Sequence, residues 1–234
     1  MSAASDLYFA QIPVGEMANL AYLVGSRAAR ECLLVDPAWS VDALLDRAEA
    51  DGMRVTGALV THYHQDHVGG SIFGTEIEGL ARLMARAPVP VHVHGREADG
   101  VRKVTGLSAS DLAPHQGGDV LELGGIQVRL LHTPGHTPGS QCFLVEEARR
   151  TPGRLVSGDT LFLGSCGRVD LPGGDPAALF DSLTNQLARL PDDTLLYPGH
   201  LYSADPSSSI GEQKRSNPYL RVARLEDFLG FLGY

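Results

Sequence analysis

The chain has 234 residues, of which 43% are apolar and 20% are charged, a composition that excludes wholesale disorder and is typical of one globular domain over residues 1–234. Its 19 lysines and arginines against 28 aspartates and glutamates leave a net charge of −9, which argues against a nucleic-acid partner because phosphate binding needs a basic surface. No uncharged apolar run approaches about 18 residues, and the first residues lack the pattern of a secretory signal. We therefore expect a cytoplasmic protein with no membrane partner, whose three widely spaced cysteines form no disulfide framework.

The first third of the chain predicts two paired strands, a helix and a buried strand. Apolar residues at 21–24 and 32–35 flank a turn that contains glycine, which favours antiparallel strands. Residues 41–50 carry apolar side chains at helical spacing. Residues 55–61 are mostly apolar with β-branched members, a composition typical of a buried strand.

The rest of the chain continues to alternate strands with helices. Helices are predicted at 79–87, 176–190 and 219–232, and strands at 89–93, 119–123, 126–131, 141–145, 154–157 and 194–197. Gly124-Gly125, between two of these strands, is typical of a two-residue hairpin turn. Because strands outnumber helices and the helices fall between groups of strands, we expect an α/β fold in which outer helices sandwich the sheets.

The clearest chemical signal directly follows the strand predicted at 55–61. Within six residues the chain carries His62, His64, Asp66 and His67. Imidazole and carboxylate groups are ligands that divalent zinc, iron and manganese accept. Alternate residues of an extended chain point the same way, so His62 and His64 can face one ion. The turn that follows lets Asp66 and His67 address a neighbouring position.

Further candidate ligands share one setting, a loop that follows a predicted strand and contains glycine. His136 lies in the run TPGHTPG, Asp159 in SGDT and His200 in YPGH. Loops presented by a rigid sheet are a common place for functional residues. The remaining histidines do not share this setting and are predicted to be surface or packed residues: His92, His94, His115 and His132.

In this order, the runs H-x-H-x-D-H, T-P-G-H-T, G-D-T and P-G-H resemble the ligand motifs of the metallo-β-lactamase fold superfamily, over nearly the whole chain. The resemblance implies an αββα sandwich, in which two mixed β-sheets face each other, outer helices flank them, and a metal site lies at one edge. It also implies two divalent metal ions, with zinc favoured and iron or a mixed pair as the alternative. One ion would bind His62, His64 and His136, and the other Asp66, His67 and His200, with Asp159 bridging.

The runs GDTLF and SCGR resemble two thiol-linked branches of this superfamily. Glyoxalase II enzymes hydrolyse thioesters of glutathione, and persulfide dioxygenases oxidise glutathione persulfide with Fe(II) and O₂. We interpret the chain as a glyoxalase II-like hydrolase that cleaves thioesters of a small thiol through a metal-bound hydroxide, a nucleophile that exists at neutral pH. The catalytic residues are then His62, Asp66, His136 and Asp159. No cysteine nucleophile is needed, and Cys166 is predicted to be a pocket or packing residue.

Two alternatives remain open. As a dioxygenase, the protein would hold one Fe(II) on His62, His136 and Asp159, a set of two histidines and one carboxylate with open positions. The other four candidate ligands would then orient these three, so the identity of the ligands does not separate the two activities. As a lactonase or another ester hydrolase of the same fold, the protein would direct the same hydroxide at a ring ester.

Four residues are candidates for substrate binding. Arg168 is the first, because a guanidinium can pair with a carboxylate through two hydrogen bonds. Tyr202, Lys214 and Arg215 are further candidates for the rim of the pocket. The expected partner is a small-molecule substrate derived from a thiol, and a homodimer is also open. The stretch 101–107 is predicted to form a lid or a wall of this pocket.

Overall fold

Two six-stranded β-sheets face each other at the centre of the fold, which the computed structural model describes for residues 5–147 and 150–233. In chain order the strands are β1 (Leu7–Val14), β2 (Asn19–Ser26), β3 (Glu31–Val35), β4 (Arg54–Leu59), β5 (Gly70–Ile72), β6 (Thr75–Ile77), β7 (Val91–His94), β8 (Leu112–His115), β9 (Val120–Leu123), β10 (Ile126–His132), β11 (Gln141–Glu147), β12 (Arg150–Gly158), β13 (Leu161–Phe162), β14 (Ser165–Cys166), β15 (Leu195–Pro198) and β16 (Ser208–Ser209). The first sheet has the order β1-β2-β3-β4-β7-β8 and the second β16-β15-β12-β11-β10-β9. Each sheet contains both parallel and antiparallel pairs, and β5–β6 and β13–β14 form two small hairpins.

The helices lie on the outer faces of the two sheets, except for the short helix after β4, which carries Asp66 and His67 at one edge. They are α1 (Val41–Ala50), α2 (Gln65–Val68), α3 (Leu80–Arg86), α4 (Ala98–Thr105), α5 (Pro176–Asp181), α6 (Ile210–Ser216), α7 (Pro218–Arg221) and α8 (Leu225–Leu232). Short 3-10 turns occur at Ala109–Asp111 and Leu187–Arg189. Among the described residues, no helix combines the length and the apolar character that a membrane crossing requires.

Three apolar layers hold the sandwich together. The inner layer joins the two sheets, and residues of β2 such as Tyr22 and Val24 pack in it against residues of the second sheet such as Phe143. The alternate residues of β2, Ala21 and Leu23, point the other way into the layer beneath α1, α3 and α4. A third layer lies between the second sheet and α5 to α8. A strand buried on both faces reads as a continuous apolar run rather than an alternation, and this αββα arrangement confirms the predicted fold class.

The predicted hairpin at 119–131 is confirmed, and its turn has a plain conformational cause. Gly124 and Gly125 have φ angles of 53° and 94°, and two positive φ angles in succession are what a tight turn between twisted strands requires. The strand predicted at 55–61 is β4, which ends at Leu59, so the residues that lead to His62 lie in an extended loop.

Two predicted helices differ from the structure. The helix predicted at 176–190 is regular only in α5, and it widens into π-type turns over Ser182–Gln186. In this wider stretch Ser182 Oγ donates to Pro134 O (2.8 Å) and Gln186 Nε2 donates to His132 O (2.9 Å), so the helix holds the loop that leads to His136. The helix predicted at 219–232 is α7 followed by α8, because Val222 between them adopts an extended backbone and buries its side chain.

Of the stretch predicted to be a lid or a wall, residues 101–105 lie in α4, which was not predicted as a helix. Val101 in this helix is fully buried, and Gly100 lies so close to the ring of Tyr63 that an added Cβ would be 2.7 Å from it. Helix α4 is therefore packed against the segment that carries His62 and His64, and its role as a lid or a wall of the pocket stays a prediction.

Candidate metal centre

The seven candidate ligands lie on loops that leave strand ends at one edge of the sandwich. In the second sheet, β10, β12 and β15 run in the same direction, so the loops that carry His136, Asp159 and His200 emerge together. In the first sheet, His62 and His64 follow β4, and the adjoining α2 carries the other two candidates. The ligands fall into three groups whose ligating atoms lie within 4.8 Å of one another: His62, His64 and His136; His62, His67 and Asp159; and Asp66, His67 and His200.

The first group brings three imidazole nitrogens to one point. His64 Nδ1 lies 3.1 Å from His62 Nε2 and 3.0 Å from His136 Nε2. His62 and His136 are 1% and 2% exposed. The three rings stand nearly perpendicular to one another, with centroids 4.7 Å apart in each pair.

Hydrogen bonds on the far side of the rings determine which nitrogen faces this point. Thr61 Oγ1 donates its single proton to Asp36 Oδ2 (2.6 Å). His62 Nδ1, which lies 3.0 Å from Thr61 Oγ1, must therefore be the donor of that bond, and its Nε2 is left with a lone pair. His136 Nδ1 donates to Arg168 O (2.7 Å), so the Nε2 atom of His136 also has a lone pair.

Asp66, His67 and His200, which we call the second group, have the same design. His67 Nδ1 donates to Asp36 Oδ2 (3.0 Å), and His200 Nδ1 donates to Met17 O (2.9 Å). The two Nε2 atoms, each of which has a lone pair when its ring is neutral, are 3.1 Å apart. Asp66 Oδ2 lies 3.4 Å from both of these nitrogens.

Asp159 lies between the two groups. Its Oδ1 is 3.4 Å from His67 Nε2, and its Oδ2 is 3.4 Å from His200 Nε2 and 3.7 Å from His136 Nε2. Its carboxylate therefore faces histidines of both groups, as a bridging ligand does. Tight backbone packing fixes its position, because a Cβ on Gly199 would lie 2.5 Å from Asp159 Oδ1 and a Cβ on Gly167 would lie 1.8 Å from Asp159 O.

The electrostatics of the two groups differ. Burial, and then the neighbouring imidazoles, lower the pKa of His64 to about 4, and the pKa of the fully buried His62 is also lowered. For His200, burial opposes protonation, but Asp159 and Asp66 outweigh it and raise the pKa to about 9. The negative charge that favours a proton on this side equally favours a metal cation.

The nitrogen and oxygen atoms of the two groups suit divalent cations as ligands. Lone pairs that approach to about 3 Å repel unless a cation or a proton lies between them, and Asp159 Oδ1 is buried without accepting any hydrogen bond from the described residues. Imidazole nitrogen and carboxylate oxygen are the ligand types that zinc and iron prefer. The centre is therefore able to bind metal ions.

Glu97 belongs to the centre although its sequence position was not singled out. Its carboxylate is fully buried: Oε2 accepts Tyr63 N–H (2.8 Å), and Oε1 accepts Thr137 Oγ1–H (2.9 Å) and Gly139 N–H (2.6 Å). Tyr63 lies between two ligands and Thr137 follows a third, so one carboxylate joins the two ligand loops of the first group. A signal was available, because Glu97 follows β7, a strand that runs parallel to β4 and ends at the same edge.

Other side chains that hold the ligands were also missed. Asp36 follows β3 and accepts from both Thr61 and His67, as described above. Asn19 Nδ2 donates to Asp66 Oδ2 (2.9 Å), and Trp39 Nε1 donates to Asp66 O (3.0 Å). Such outer partners orient metal ligands and fix their tautomers.

Two of the four predicted substrate contacts lie beside the centre. Tyr202 stacks on the ring of His200, with centroids 4.8 Å apart and an angle of 10°, and it is 62% exposed. Arg168 contributes its carbonyl to His136, while its guanidinium forms two hydrogen bonds of 2.7 Å to Asp170.

The other two predicted contacts are not brought to the centre. Lys214 Nζ binds Asp192 Oδ1 (2.7 Å), and Arg215 pairs with Glu212 (2.8 Å). The packing of α6 explains why both cations point away from the centre. It turns Gln213 toward the β13–β14 hairpin, where Gln213 Oε1 accepts Gly164 N–H (2.8 Å). Within the described residues, neither cation contacts a candidate ligand.

Cys166 is a packing residue. It lies in the outer apolar layer, 8% exposed, and burial raises the pKa of its thiol to about 12. A thiol in that state is not a nucleophile at neutral pH.

The fold and these ligands define an αββα sandwich with a histidine- and aspartate-rich centre at one edge that is able to bind metal ions. The model of the metallo-beta-lactamase superfamily matches residues 14–200. The chain therefore belongs to the metallo-β-lactamase superfamily, as the motifs predicted.

Similar proteins carry names from both thiol-linked branches. Hydroxyacylglutathione hydrolase GloC from Haemophilus influenzae is 32% identical over 202 residues, which cover 82% of this chain and 88% of that protein. The human mitochondrial persulfide dioxygenase ETHE1 is 30% identical over 220 residues, which cover 91% of this chain and 75% of that protein. The crystal structure of ETHE1 from Myxococcus xanthus has a TM-score of 0.79 at 31% identity and covers 97% of this chain and 90% of that chain.

Proposed function

We propose that the protein is a metal-dependent hydrolase that cleaves thioesters of a small thiol. One observation carries the proposal: two groups of three ligands lie side by side, and Asp159 faces both of them. Such an arrangement suits two divalent cations, which we take to be zinc, with iron or a mixed pair as the alternative. When bound, the cations supply an acidified water and polarise the acyl oxygen.

The side chains around the centre have distinct tasks in this proposal. His62 and His136 present fixed lone pairs, because their Nδ1 protons are held by Thr61 and by the carbonyl of Arg168. Asp66 is oriented through Asn19 and its Oδ2 lies 3.4 Å from His200 Nε2, where the carboxylate can hold a cation or orient the attacking water. The substrate itself needs no covalent attachment to the chain.

The entrance offers contacts for the thiol part of the substrate. Tyr202 presents an exposed ring beside the centre. Arg168 is held by Asp170 through two hydrogen bonds, and a carboxylate of the substrate would exchange with that partner. An acidic protein benefits from such a local positive group when its substrate is anionic.

A persulfide dioxygenase is the second candidate, because the relatives include proteins of that name. In that case His62, His136 and Asp159 would hold one Fe(II), and the other four candidate ligands would orient them. A lactonase of the same fold is the third outcome that the assay below must distinguish.

The test measures metal content and activity on the same preparation. Protein expressed with iron and zinc supplied equally is analysed for metal. It is then assayed for thioester hydrolysis, lactone hydrolysis and O₂ uptake with glutathione persulfide. About two ions per chain with thioester hydrolysis supports the proposal. About one iron per chain with O₂ uptake, or hydrolysis of lactones alone, replaces it.

Variants tie the activity to the centre. His62→Ala and Asp159→Ala should each abolish the activity and reduce the metal content. His115→Ala, which removes a histidine outside the centre, is the matched control and should retain both. Full activity in either of the first two variants would contradict the assignment of the site.

A further inference from the structure

A cavity of about 530 Å³ lies apart from the ligand cluster, beside the ends of β7 and β10. It is lined by eight residues: His94, Arg96, Gln116, Gly117, Gly118, Leu131, His132 and Gln186. None of the eight is acidic, although the chain as a whole has a net charge of −9. The cavity is thus a polar and locally positive place on an acidic protein.

Two stacked imidazoles form part of its wall. The rings of His94 and His132 are nearly parallel, at 8°, with centroids 4.0 Å apart. His94 Nδ1 accepts the backbone N–H of Arg96 (3.2 Å), so the neutral ring carries its proton on Nε2. That Nε2–H has no acceptor among the described residues, and His94 is only 1% exposed. A nearly buried ring therefore has an unused donor where it borders the cavity.

Two further donors lie at the exposed rim of the cavity and have no acceptor in the described protein. The guanidinium of Arg96 pairs with no carboxylate in the described part of the chain, in contrast to Arg168, which is held by Asp170. The side-chain amide of Gln116 also makes no hydrogen bond to the described protein. Donors that are left together without acceptors, with one fixed positive charge among them, suit an oxyanion.

The charge state of His94 fits the same ligand. Burial, followed by His132 and Arg96, lowers the pKa of His94 to about 4. At neutral pH this ring is therefore an uncharged donor beside the guanidinium.

We propose that this cavity binds a small oxyanion, a phosphate or a carboxylate group, through Arg96, His94 and Gln116. The site is separate from the proposed substrate site, but two of its residues are connected to the loop that carries His136. His132 Nε2 donates to Pro138 O (3.0 Å), within the loop that carries His136. Arg96 directly precedes Glu97, which binds the same loop at Gly139. The bound anion would thus lie behind a ligand loop of the metal centre.

The test is equilibrium dialysis of the metal-loaded protein against radiolabelled inorganic phosphate at constant ionic strength. Unlabelled acetate and chloride are added as competitors. Arg96→Gln removes the charge, and Arg221→Gln, which changes an exposed arginine on α7, is the matched control. Phosphate that binds at the metal ions would be retained in both variants. The difference in bound phosphate between the two variants therefore measures binding in the cavity.

We expect Arg96→Gln to weaken one class of phosphate binding at least about tenfold, the loss typical of a charge-assisted hydrogen bond. Arg221→Gln should bind as the unchanged protein does, and Gln116→Ala should weaken the same class to a smaller extent. Competition by acetate identifies a carboxylate ligand, and its absence identifies a phosphate ligand. Identical phosphate binding in the unchanged protein and in Arg96→Gln would overturn the proposal.

Discussion

Glu97→Gln is the substitution that most directly tests how the metal centre is held. Glutamine keeps one acceptor oxygen, which can serve Thr137 and Gly139, but its amide then faces the N–H of Tyr63, donor against donor. A lost hydrogen bond to a buried charged group costs about 1.5–3 kcal/mol. Part of this is offset, because burial disfavours the charge of Glu97 and raises its pKa. We therefore expect a loss of about 2 kcal/mol in the free energy of unfolding, and of about 4–8 °C in Tm for a domain of this size.

The same substitution should weaken metal binding by the first ligand group, because the segments that carry His62 and His136 are no longer joined through one carboxylate. Metal content after dialysis against a weak chelator, together with Tm from differential scanning calorimetry, measures both effects. Glu78→Gln is the matched control, since the exposed carboxylate of Glu78 also accepts a backbone N–H, that of Val41 (2.7 Å). If Glu97→Gln retained the Tm and the metal of the unchanged protein, the positioning role of Glu97 would be refuted.

Three further predictions concern the ligand backbone, pH and the substrate. Gly167→Ala should release metal and lower activity, because its Cβ would lie 1.8 Å from the carbonyl oxygen of Asp159. Gly230→Ala, whose Cβ would have no atom within 4 Å beyond the adjoining backbone of its own helix, should change metal content little. Burial, and then a neighbouring histidine, lower the pKa of His92 to about 4. As the pH falls, the unfolded chain therefore takes up the proton before the folded chain does. The contribution of His92 to the free energy of unfolding is complete above about pH 6.5 and should decrease toward pH 4 by up to about 1.4 kcal/mol per pH unit. Urea unfolding at pH 7, 6 and 5 measures this slope, which should be smaller in His92→Gln. Arg168→Ala should raise KM but not lower kcat for a thioester that bears a carboxylate; an unchanged KM removes the guanidinium as a substrate contact.

The ligand loops were predictable because their residue types and their surroundings are both local. A histidine or aspartate that follows an apolar strand and stands beside glycine is visible in a short run of sequence, as at His136 and Asp159. The alternation that predicted His62 and His64 on one side is a property of any extended chain. It therefore remained valid although β4 ends at Leu59 and both histidines lie in a loop.

The supporting contacts could not be predicted because they join residues that are distant in sequence. Glu97 reaches Gly139 across 42 positions, and Lys214 finds Asp192 through the packing of α6 rather than through any local pattern. The break between α7 and α8 has the same origin, since Val222 leaves helical geometry to reach an apolar layer that only the folded chain contains.

The geometry of the metal centre depends both on side chains and on the backbone that holds them. The Nδ1 protons of His136 and His200 are held by the carbonyls of Arg168 and Met17, which any residue at those positions would supply. Their orientation therefore depends on where two loops are placed, not on what those residues are. A related chain can keep every ligand motif and still differ in the number or kind of ions that it retains, because small shifts of these loops redirect the lone pairs. Metal content measured on the protein thus carries information about its chemistry that the motifs do not contain.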